Sequence, residues 1–535
     1  MAGYSFESPI VRRMPKPDAK LTQGDVRVLV VLVEFSDVRF KSPDPVSQFT
    51  DYLNKEGYNE YHNIGSVRDY FIKNSMGKFR PTFDVYGPVT LSNSKDYYNV
   101  DSAKQVVSIA LDSLDNKDEV DFFRYDNDGD GAVDFLIVFY AGISGHDFLM
   151  TRVLSTHAGS LGVRSNALSG KKMKNGLYVN FYAFINEICG SAYKRDENTG
   201  SLSEIGITIH EFSHVLGLPD LYVGKGTLFP EVWSVMQGGG LNCSSEYDTK
   251  CIPPLYSAFE RMSFGWLTPI EIESSGKIQL SKLDDNVAYC ITNPGNPDEM
   301  YLLEYCTNKG WDIGQYNSGM LIWHINYVDS IWKTFKVNYE NRMNVDLVEA
   351  KGFGTRPGPS DAFPGSANVT IFKDFVFWNG LDMNITLSDI TESPDKEYVT
   401  FNVTMGEPFM RELSSSSSYD PYGKSLGSSS SRSTPYSWPG FSLMFPISTS
   451  SIKTTRKTLQ QAYVISQNGI VNITTPLPGT KKVHMFSLNG QLLFETFMDG
   501  SELQVQWPKH LGKQKTVLSV TQGNVNLFMG VVDGK

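Results

Sequence analysis

One short stretch, Ile209-His-Glu-Phe-Ser-His-Val-Leu-Gly-Leu-Pro-Asp220, restricts the possible fold more than any other part of the sequence. On a helix, His210 and His214 are four residues apart and lie on one face. Both imidazoles can then reach a single zinc ion at roughly 2.0–2.1 Å. Glu211 lies between them, where it can take a proton from the attacking water rather than bind the metal. The pattern predicts a helix that carries a catalytic zinc site.

The third zinc ligand has two candidates. Gly217 allows a sharp turn after the helix and Pro219 prevents its continuation, so the chain doubles back and presents Asp220. The aspartate side chain is short, so this turn must bring its backbone close to the metal. The alternative is Glu260, in a segment that can form a helix, because many zinc peptidases take a glutamate ligand from a downstream helix. The sequence favours Asp220 and keeps Glu260 as its rival.

A second candidate metal site is the acidic segment Asp126-Asn-Asp-Gly-Asp-Gly-Ala-Val-Asp134. Carboxylates at alternate positions with glycines at the bends can wrap oxygen ligands around a hard cation such as calcium. The segment is not an EF-hand, because its twelfth position is Ile137 and a predicted strand follows. The alternative is an acidic turn that needs no metal. The predicted calcium ligands are Asp126, Asp128, Asp130 and Asp134.

These motifs resemble a known group of peptidases. The stretch from His210 to Asp220 resembles the metzincin pattern His-Glu-x-x-His-x-x-Gly-x-x-His, with Asp220 at the position of the third histidine. Val232-Trp-Ser-Val-Met-Gln-Gly238 resembles the Met-turn, a methionine-bearing loop beneath the zinc. Roughly residues 26 to 405 are similar to the secreted immune-inhibitor-A type of metallopeptidase, through Gly65-Ser-Val-Arg-Asp-Tyr-Phe71, Asn74-Ser-Met-Gly-Lys-Phe79, Ser257-Ala-Phe-Glu-Arg-Met-Ser-Phe-Gly-Trp266, Gly310-Trp-Asp312 and Gly319-Met-Leu-Ile-Trp-His324.

The resemblance implies a fold of the α+β class, with a zincin/metzincin-like catalytic domain followed by one or more β-rich domains. It implies a zinc-dependent endopeptidase with Glu211 as general base, acting on protein or peptide substrates, secreted or at the cell surface. The alternative is a non-catalytic calcium-binding surface protein or adhesin on a decayed peptidase scaffold. The intact Glu211 favours the enzyme, because a decayed peptidase usually loses its base or a metal ligand first.

The pattern of apolar segments predicts the catalytic domain at residues 26–270. Residues 1–25 are polar and aperiodic, which indicates a leader or propeptide remnant. Strand-like and helix-like segments then alternate, in the order expected for a mixed sheet and an active-site helix. They are an apolar strand at 26–35, a helix at 67–75, a proline-interrupted edge strand at 79–89, a helix at 103–114, and strands at 134–140 and 178–188.

The remaining chain divides into three predicted parts. Residues 271–406 contain short alternating apolar strands, which predict a β-rich accessory domain. Residues 407–461 are rich in serine and predict a linker. Residues 462–535 predict a small β-sandwich. Within it, residues 483–493 resemble the strand-Asn-Gly-strand signature of C-terminal sorting domains in type IX secretion, so secretion machinery is a candidate partner.

Cysteine and histidine positions give further expectations. Five cysteines are too few for a disulfide scaffold in a chain of 535 residues. The pairs Cys243 with Cys251 and Cys290 with Cys306 are candidate disulfides, and the alternative is that these thiols are free and buried. His324 stands alone in an aromatic strand, so we expect a packed histidine rather than a zinc ligand.

Charge and hydropathy exclude several classes of partner. The 48 basic and 59 acidic residues give a net charge of −11, without the basic footprint of a protein that binds nucleic acid or anionic membranes. No apolar run approaches the roughly 18 residues that span a bilayer. The first 13 residues lack the apolar segment of a signal peptide, so we expect a secretion signal to have been removed or to lie upstream.

Overall fold

The computed structural model describes residues 21–99, 102–144, 154–163, 166–189, 201–221, 233–239, 252–332, 337–338, 343–351 and 358–411, and the strands between residues 463 and 533. The chain divides into two compact units, Met1–Met444 and Phe445–Lys535. The α-helices described in the first unit are α1 (Pro45–Asn54), α2 (Val67–Asn74), α3 (Ala103–Asn116), α4 (Ile205–Val215), α5 (Ala258–Ser263) and α6 (Asp329–Trp332). None of the helices in these ranges has the length and apolarity that crossing a membrane requires.

The strands of the first unit fall into two groups, before and after α5. The first group is β1 (Gly24–Glu34), β2 (Phe79–Thr90), β3 (Ala132–Val133), β4 (Leu136–Ile143), β5 (His157–Ser160), β6 (Lys171–Lys172), β7 (Tyr178–Val179), β8 (Phe181–Cys189) and β9 (Ser201–Leu202). The second group is β10 (Ile270–Glu271), β11 (Gly276–Ser281), β12 (Tyr289–Asn293), β13 (Asn296–Cys306), β14 (Gly319–Asn326), β15 (Val345–Leu347), β16 (Leu381–Asp382), β17 (Ile385–Glu392), β18 (Tyr398–Met405) and β19 (Phe409–Met410).

Six strands of the first group form one mixed sheet. Five of them have the order β2-β1-β4-β8-β5, and β9 also pairs with β8. The first four strands are parallel to their neighbours, whereas β5 is antiparallel to β8. Side chains of a strand alternate between its two faces. Val28 and Val30 of β1 therefore join a core with α1, α2 and α4, while Leu29 and Val31 join a second core with α3. Burial on both faces explains the continuous apolar run of this strand.

Most elements predicted for this region are confirmed, but the single strand predicted at 178–188 is two strands, β7 and β8, which belong to different sheets. The strand predicted at 26–35 corresponds to β1, the helix at 67–75 to α2, and the helix at 103–114 to α3. β2 ends the order of strands in the sheet, as its two prolines, Pro81 and Pro88, predicted. A proline has no backbone N–H to donate, so it is disfavoured in a central strand.

After α5 the strands are mainly antiparallel. One sheet has the order β10-β12-β13-β14-β15 and another the order β11-β18-β17. The core beneath α4 continues into this region, because Leu302 of β13 and Trp323 of β14 belong to the same buried cluster as Ile209 of α4. Side chains on both sides of residue 270 thus share one core.

The candidate disulfide between Cys290 and Cys306 is wrong, because neither cysteine forms a disulfide and both are buried. Cys290 lies opposite Leu302 in the ladder between β12 and β13, whereas Cys306 lies opposite Gly319 of β14. The two cysteines are therefore offset along neighbouring strands instead of facing each other. Cys243 and Cys251 lie outside the described residues.

The second unit contains two antiparallel sheets, with the orders β20-β21-β24 and β23-β22-β25-β26. The Asn-Gly pair between β22 and β23 lies outside the described residues, as do nearly all of the predicted linker and most of the predicted leader. The strands are β20 (Tyr463–Gln467), β21 (Ile470–Thr474), β22 (Lys481–Phe486), β23 (Leu492–Met498), β24 (Glu502–Gln506), β25 (Lys515–Gln522) and β26 (Val525–Asp533).

Candidate metal centre

Helix α4 carries the two motif histidines and packs against β8 through an apolar face. Ile205, Ile209 and Phe212 on this face are completely buried. The helix ends where Gly217 adopts a left-handed conformation, with φ of 105°. The N–H of Leu218 then returns to the carbonyl of Ser213 over 2.9 Å. This glycine-dependent ending reverses the chain directly after the second histidine.

The two imidazoles are held by backbone carbonyls. Nδ1 of His210 lies 2.7 Å from the carbonyl oxygen of Val235, and Nδ1 of His214 lies 2.8 Å from that of Leu218. A carbonyl oxygen only accepts, so each Nδ1 carries the proton and donates it. In the neutral rings this leaves the Nε2 lone pairs as the donor atoms for a cation, the arrangement of histidines that ligate metals.

The turn after α4 brings Asp220 to both rings. Oδ1 of Asp220 lies 3.3 Å from Nε2 of His210 and 3.1 Å from Nε2 of His214. One ligand atom from each of the three residues lies within 4.8 Å of the other two. The same carboxylate oxygen is buried and makes no well-directed hydrogen bond. Two imidazole nitrogens and one such oxygen fit the donor set of a zinc ion.

The charges of this cluster support a bound cation. Burial by itself would lower the pKa of His210, but the Asp220 and Glu211 carboxylates raise it to about 9. Burial likewise opposes ionisation of Asp220, but the two neighbouring histidines lower its pKa well below the usual range. A buried carboxylate needs positive charge beside it. A divalent metal ion would supply that charge in place of the ring protons.

Glu211 lies on α4 directly after His210 and is buried. Its charge is close enough to contribute to the raised pKa of His210. It does not belong to the group of three side chains whose ligand atoms converge. Its position beside that group, but outside it, suits a base better than a ligand.

The segment resembling a Met-turn packs against the cluster. Its described part runs from Trp233 to Gly239, and Met236 is completely buried. The carbonyl of Val235 accepts from the ring of His210, and the carbonyl of Met236 accepts from the N–H of Leu221 over 2.8 Å. This turn thus contacts His210 and the residue that follows Asp220.

The rival ligand Glu260 does not join the histidines. It lies on α5, where Ser257 and Glu260 form a capping box, and it is completely buried. Its carboxylate accepts hydrogen bonds from Ser257, Ser234 and Met236. The spacing Ser257-x-x-Glu260 is the sequence signature of a capping box, so this helix-capping role was detectable from the sequence.

Three of the four predicted calcium ligands lie together. Asp126, Asp128 and Asp130 present carboxylate oxygens within 4.8 Å of one another. Backbone N–H groups of the loop shape the cluster: Oδ1 of Asp126 accepts from Gly129 over 2.9 Å, and Oδ1 of Asp130 accepts from Ala132 over 2.8 Å. The loop is therefore already folded around its own carboxylates.

Asp134 is not part of this group. Its Oδ2 atom accepts from the backbone N–H of Asn127 over 2.5 Å and from the Asn127 side chain over 3.1 Å. Burial raises the pKa of Asp134 to about 7. The Asn127 side chain in turn accepts from the N–H of Arg27 over 2.8 Å, so Asp134 and Asn127 tie the loop to β1.

His324 is a packed histidine, as predicted. It is buried in β14, and its ring stacks on Tyr301 with centroids 4.4 Å apart. Its Nε2 atom lies 3.0 Å from Oε1 of Glu299. It belongs to neither of the two groups of possible metal ligands that lie in the described part of the chain.

Part of this chain is similar to known proteins. Residues 18–267 match the immune inhibitor A peptidase M6 catalytic domain. Immune inhibitor A of Bacillus thuringiensis subsp. alesti is 26% identical over 267 residues, which is 41% of this chain and 37% of that protein. Pre-pro-metalloprotease PrtV of Vibrio cholerae serotype O1 (strain M66-2) is 26% identical over 261 residues, which is 40% of this chain and 27% of that protein. The match thus spans well under half the length of either relative.

A match to a solved structure, the rat CD45 extracellular region, domains d3-d4, covers 24% of this chain and 88% of that chain. The sequence identity is 10%. The TM-score of 0.09 is too low to carry any argument about fold. The matched segment 18–267 includes the main sheet, α4 and α5. Residues 18–267 are thus similar to the peptidase M6 catalytic domain of the immune inhibitor A type, and one of the two relatives is named a metalloprotease.

Proposed function

We propose that this protein is a secreted zinc-dependent endopeptidase in which His210, His214 and Asp220 hold the metal and Glu211 is the general base. The observation that carries the proposal is the convergence of two Nε2 atoms on one buried Asp220 oxygen, at 3.3 and 3.1 Å. Each ring is already fixed in the orientation that a ligand needs, by its bond to a backbone carbonyl.

Zinc at this position would polarise the scissile carbonyl and lower the pKa of the attacking water to about 7. Glu211 would take a proton from the attacking water and pass it to the amine that leaves when the peptide bond breaks. Because bound zinc would acidify this water, Glu211 would need only modest basicity. Glu260 has no part in this proton transfer, since its carboxylate oxygens accept hydrogen bonds from α5 and the neighbouring turn.

We further propose that Asp126, Asp128 and Asp130 bind calcium, with Asp134 supporting the loop instead of ligating the ion. The grouping of three carboxylates supports this assignment. For the second unit we propose a role in export through secretion machinery. This rests on the sequence pattern at residues 483–493 and on the antiparallel pairing of β22 with β23.

A non-catalytic calcium-binding surface protein or adhesin is the competing function. It would require neither a buried His-His-Asp cluster nor a glutamate beside it. The test is metal analysis of the purified full chain together with casein hydrolysis, with and without a chelator. The proposal predicts stoichiometric zinc and hydrolysis that the chelator abolishes and added zinc restores. Bound calcium without zinc or hydrolysis would favour the binding protein.

A further inference from the structure

The carboxylate of Glu260 and the ring of His210 lie at opposite ends of one peptide group, which joins Val235 to Met236. The N–H of Met236 donates to Oε1 of Glu260 over 3.1 Å and shares this proton with Oγ of Ser234 over 3.0 Å. The carbonyl of Val235 accepts from Nδ1 of His210 over 2.7 Å. In a planar trans peptide the N–H and C=O point in opposite directions, so a bond at one end orients the other. We propose that Glu260 is a positioning residue for the metal centre, acting on the His210 ring through this peptide group.

Glu260 makes more hydrogen bonds than helix capping requires. Its Oε2 atom accepts from the N–H of Ser257 over 2.6 Å and completes the capping box of α5. Its Oε1 atom instead accepts from Oγ of Ser234 over 2.7 Å and from the N–H of Met236. The side chain is 0% exposed, and a buried carboxylate is costly unless hydrogen bonds compensate it. The second oxygen is therefore committed to the turn at residues 234–236.

This turn also supports the other side of the cluster. The carbonyl of Met236 accepts from the N–H of Leu221, the residue that follows Asp220. One three-residue turn thus contacts His210 through Val235 and the Asp220 loop through Met236. A shift of the turn would move two of the three proposed ligands.

Glu260 is itself held from beyond the segment that matches the family. Glu304 of β13 accepts from the backbone N–H of Ala258, the first residue of α5, and from Nε1 of Trp323 over 2.8 Å. These bonds fix the start of α5 against the strands that follow it. The support of the metal centre therefore extends past residue 267.

The inference rests on the proposed function, since it concerns how a metal ligand is held. Metal-binding histidines usually donate their second N–H to a carboxylate or carbonyl, which fixes the ring and raises its basicity. Here the carbonyl of Val235 receives that proton, and the carboxylate of Glu260 polarises the same peptide group from its other end. Successive hydrogen bonds of this kind strengthen one another.

The test is cobalt(II) binding by the full chain, measured by visible absorption and by competition with a chelator. Glu260→Gln keeps the shape of the side chain and removes its charge. We expect it to fold, to bind cobalt about 10–100-fold more weakly than wild type, and to show a changed absorption spectrum. Ser257→Ala is the matched control, because it weakens the cap of α5 and leaves both bonds to Oε1 of Glu260 in place. It should lower the melting temperature without changing cobalt affinity or the spectrum.

Folded Glu260→Gln with the affinity and spectrum of wild type would overturn the inference. An equal loss of affinity in Ser257→Ala would also overturn it, because helix capping would then explain the effect. If Glu260→Gln does not fold, Glu260→Asp decides, because the shorter side chain keeps the charge but withdraws it from the N–H of Met236: weaker cobalt binding supports the inference and unchanged binding overturns it. Failure of the wild-type chain to bind cobalt or zinc would instead refute the metal centre, and the inference with it.

Discussion

Oδ1 of Asp220 lies 3.1 Å from Nε2 of His214, although a helix end and a proline separate the two residues along the chain. The left-handed Gly217 and the hydrogen bond from Leu218 to Ser213 produce this approach. The tight reversal explains how the short side chain of Asp220 reaches both imidazole rings.

We predict that Asp220→Ala loses its zinc, whereas Glu260→Ala retains a measurable but weakened site. Loss of a direct ligand is severe, whereas loss of a supporting group typically costs about 10–100-fold in affinity. Zinc per chain, measured after equilibration against a graded series of chelator concentrations, separates the two variants. If Glu260→Ala sheds zinc and Asp220→Ala keeps it, Glu260 is the ligand.

Gly217→Ala should weaken both the fold and the metal site. A side chain at a φ of 105° costs roughly 1–2 kcal/mol, and relief of that strain would displace the Asp220 turn. The matched control is Gly276→Ala, where an added Cβ meets no atom within 4 Å. Thermal unfolding and zinc competition should both change for Gly217→Ala and remain near wild type for the control. Equal effects of the two substitutions would show that the turn does not depend on a glycine.

Local sequence patterns were sufficient to predict a feature wherever the spacing of neighbouring residues determines its geometry. Two histidines four apart on a helix share a face, and a Gly-x-Pro sequence ends that helix, so the meeting of His210, His214 and Asp220 followed from adjacent residues. The strand β1 and helix α2 were likewise predictable from their periodicity. These features depend on neighbours within a few residues.

Long-range partners could not be predicted in the same way. Glu260 was a plausible ligand by residue type, but its surroundings depend on where α5 packs against the turn at residues 234–236. Asp134 has ligand spacing in the sequence, yet it bonds to Asn127, whose side chain is fixed by β1. In both cases a competing hydrogen bond from a distant segment determines the role of the carboxylate.

Calcium should stabilise the wild-type protein. An ion that binds only the folded state at 100 times its dissociation constant adds about 2.7 kcal/mol to the free energy of unfolding. Asp128→Asn combined with Asp130→Asn should abolish this effect, because both carboxylates belong to the cluster. Asp134→Asn, which changes a carboxylate outside the cluster, should retain it. Melting temperatures with and without calcium, in the presence of saturating zinc, measure the difference, and an unchanged wild-type value would contradict a calcium site.

The pH dependence of stability should include a contribution from Glu304. Burial raises the pKa of this carboxyl from 4.5 to about 7, against hydrogen bonds from Ala258 and Trp323 that favour its charged form. The folded state therefore binds this proton more tightly than the unfolded chain does. Protonated Glu304 therefore contributes on the order of 3 kcal/mol to the free energy of unfolding. This contribution is fully present below pH 4.5 and is lost as the pH rises through 7.

Urea unfolding at pH 5 and pH 8, with chelator present, tests this contribution. The free energy of unfolding of the wild-type chain should decrease more between these two pH values than that of Glu304→Gln, which cannot titrate. Parallel decreases in the two proteins would exclude Glu304 as the source.

The most direct test of the proposed mechanism is casein hydrolysis by Glu211→Gln, measured together with its zinc content. The amide keeps the shape of the side chain and cannot accept the proton, so we expect nearly unchanged zinc and a rate at least about 100-fold below wild type. Glu273→Gln, at an exposed position, controls for the loss of one negative charge and should hydrolyse casein normally. Near-native turnover by zinc-loaded Glu211→Gln would contradict the assignment of Glu211 as the general base.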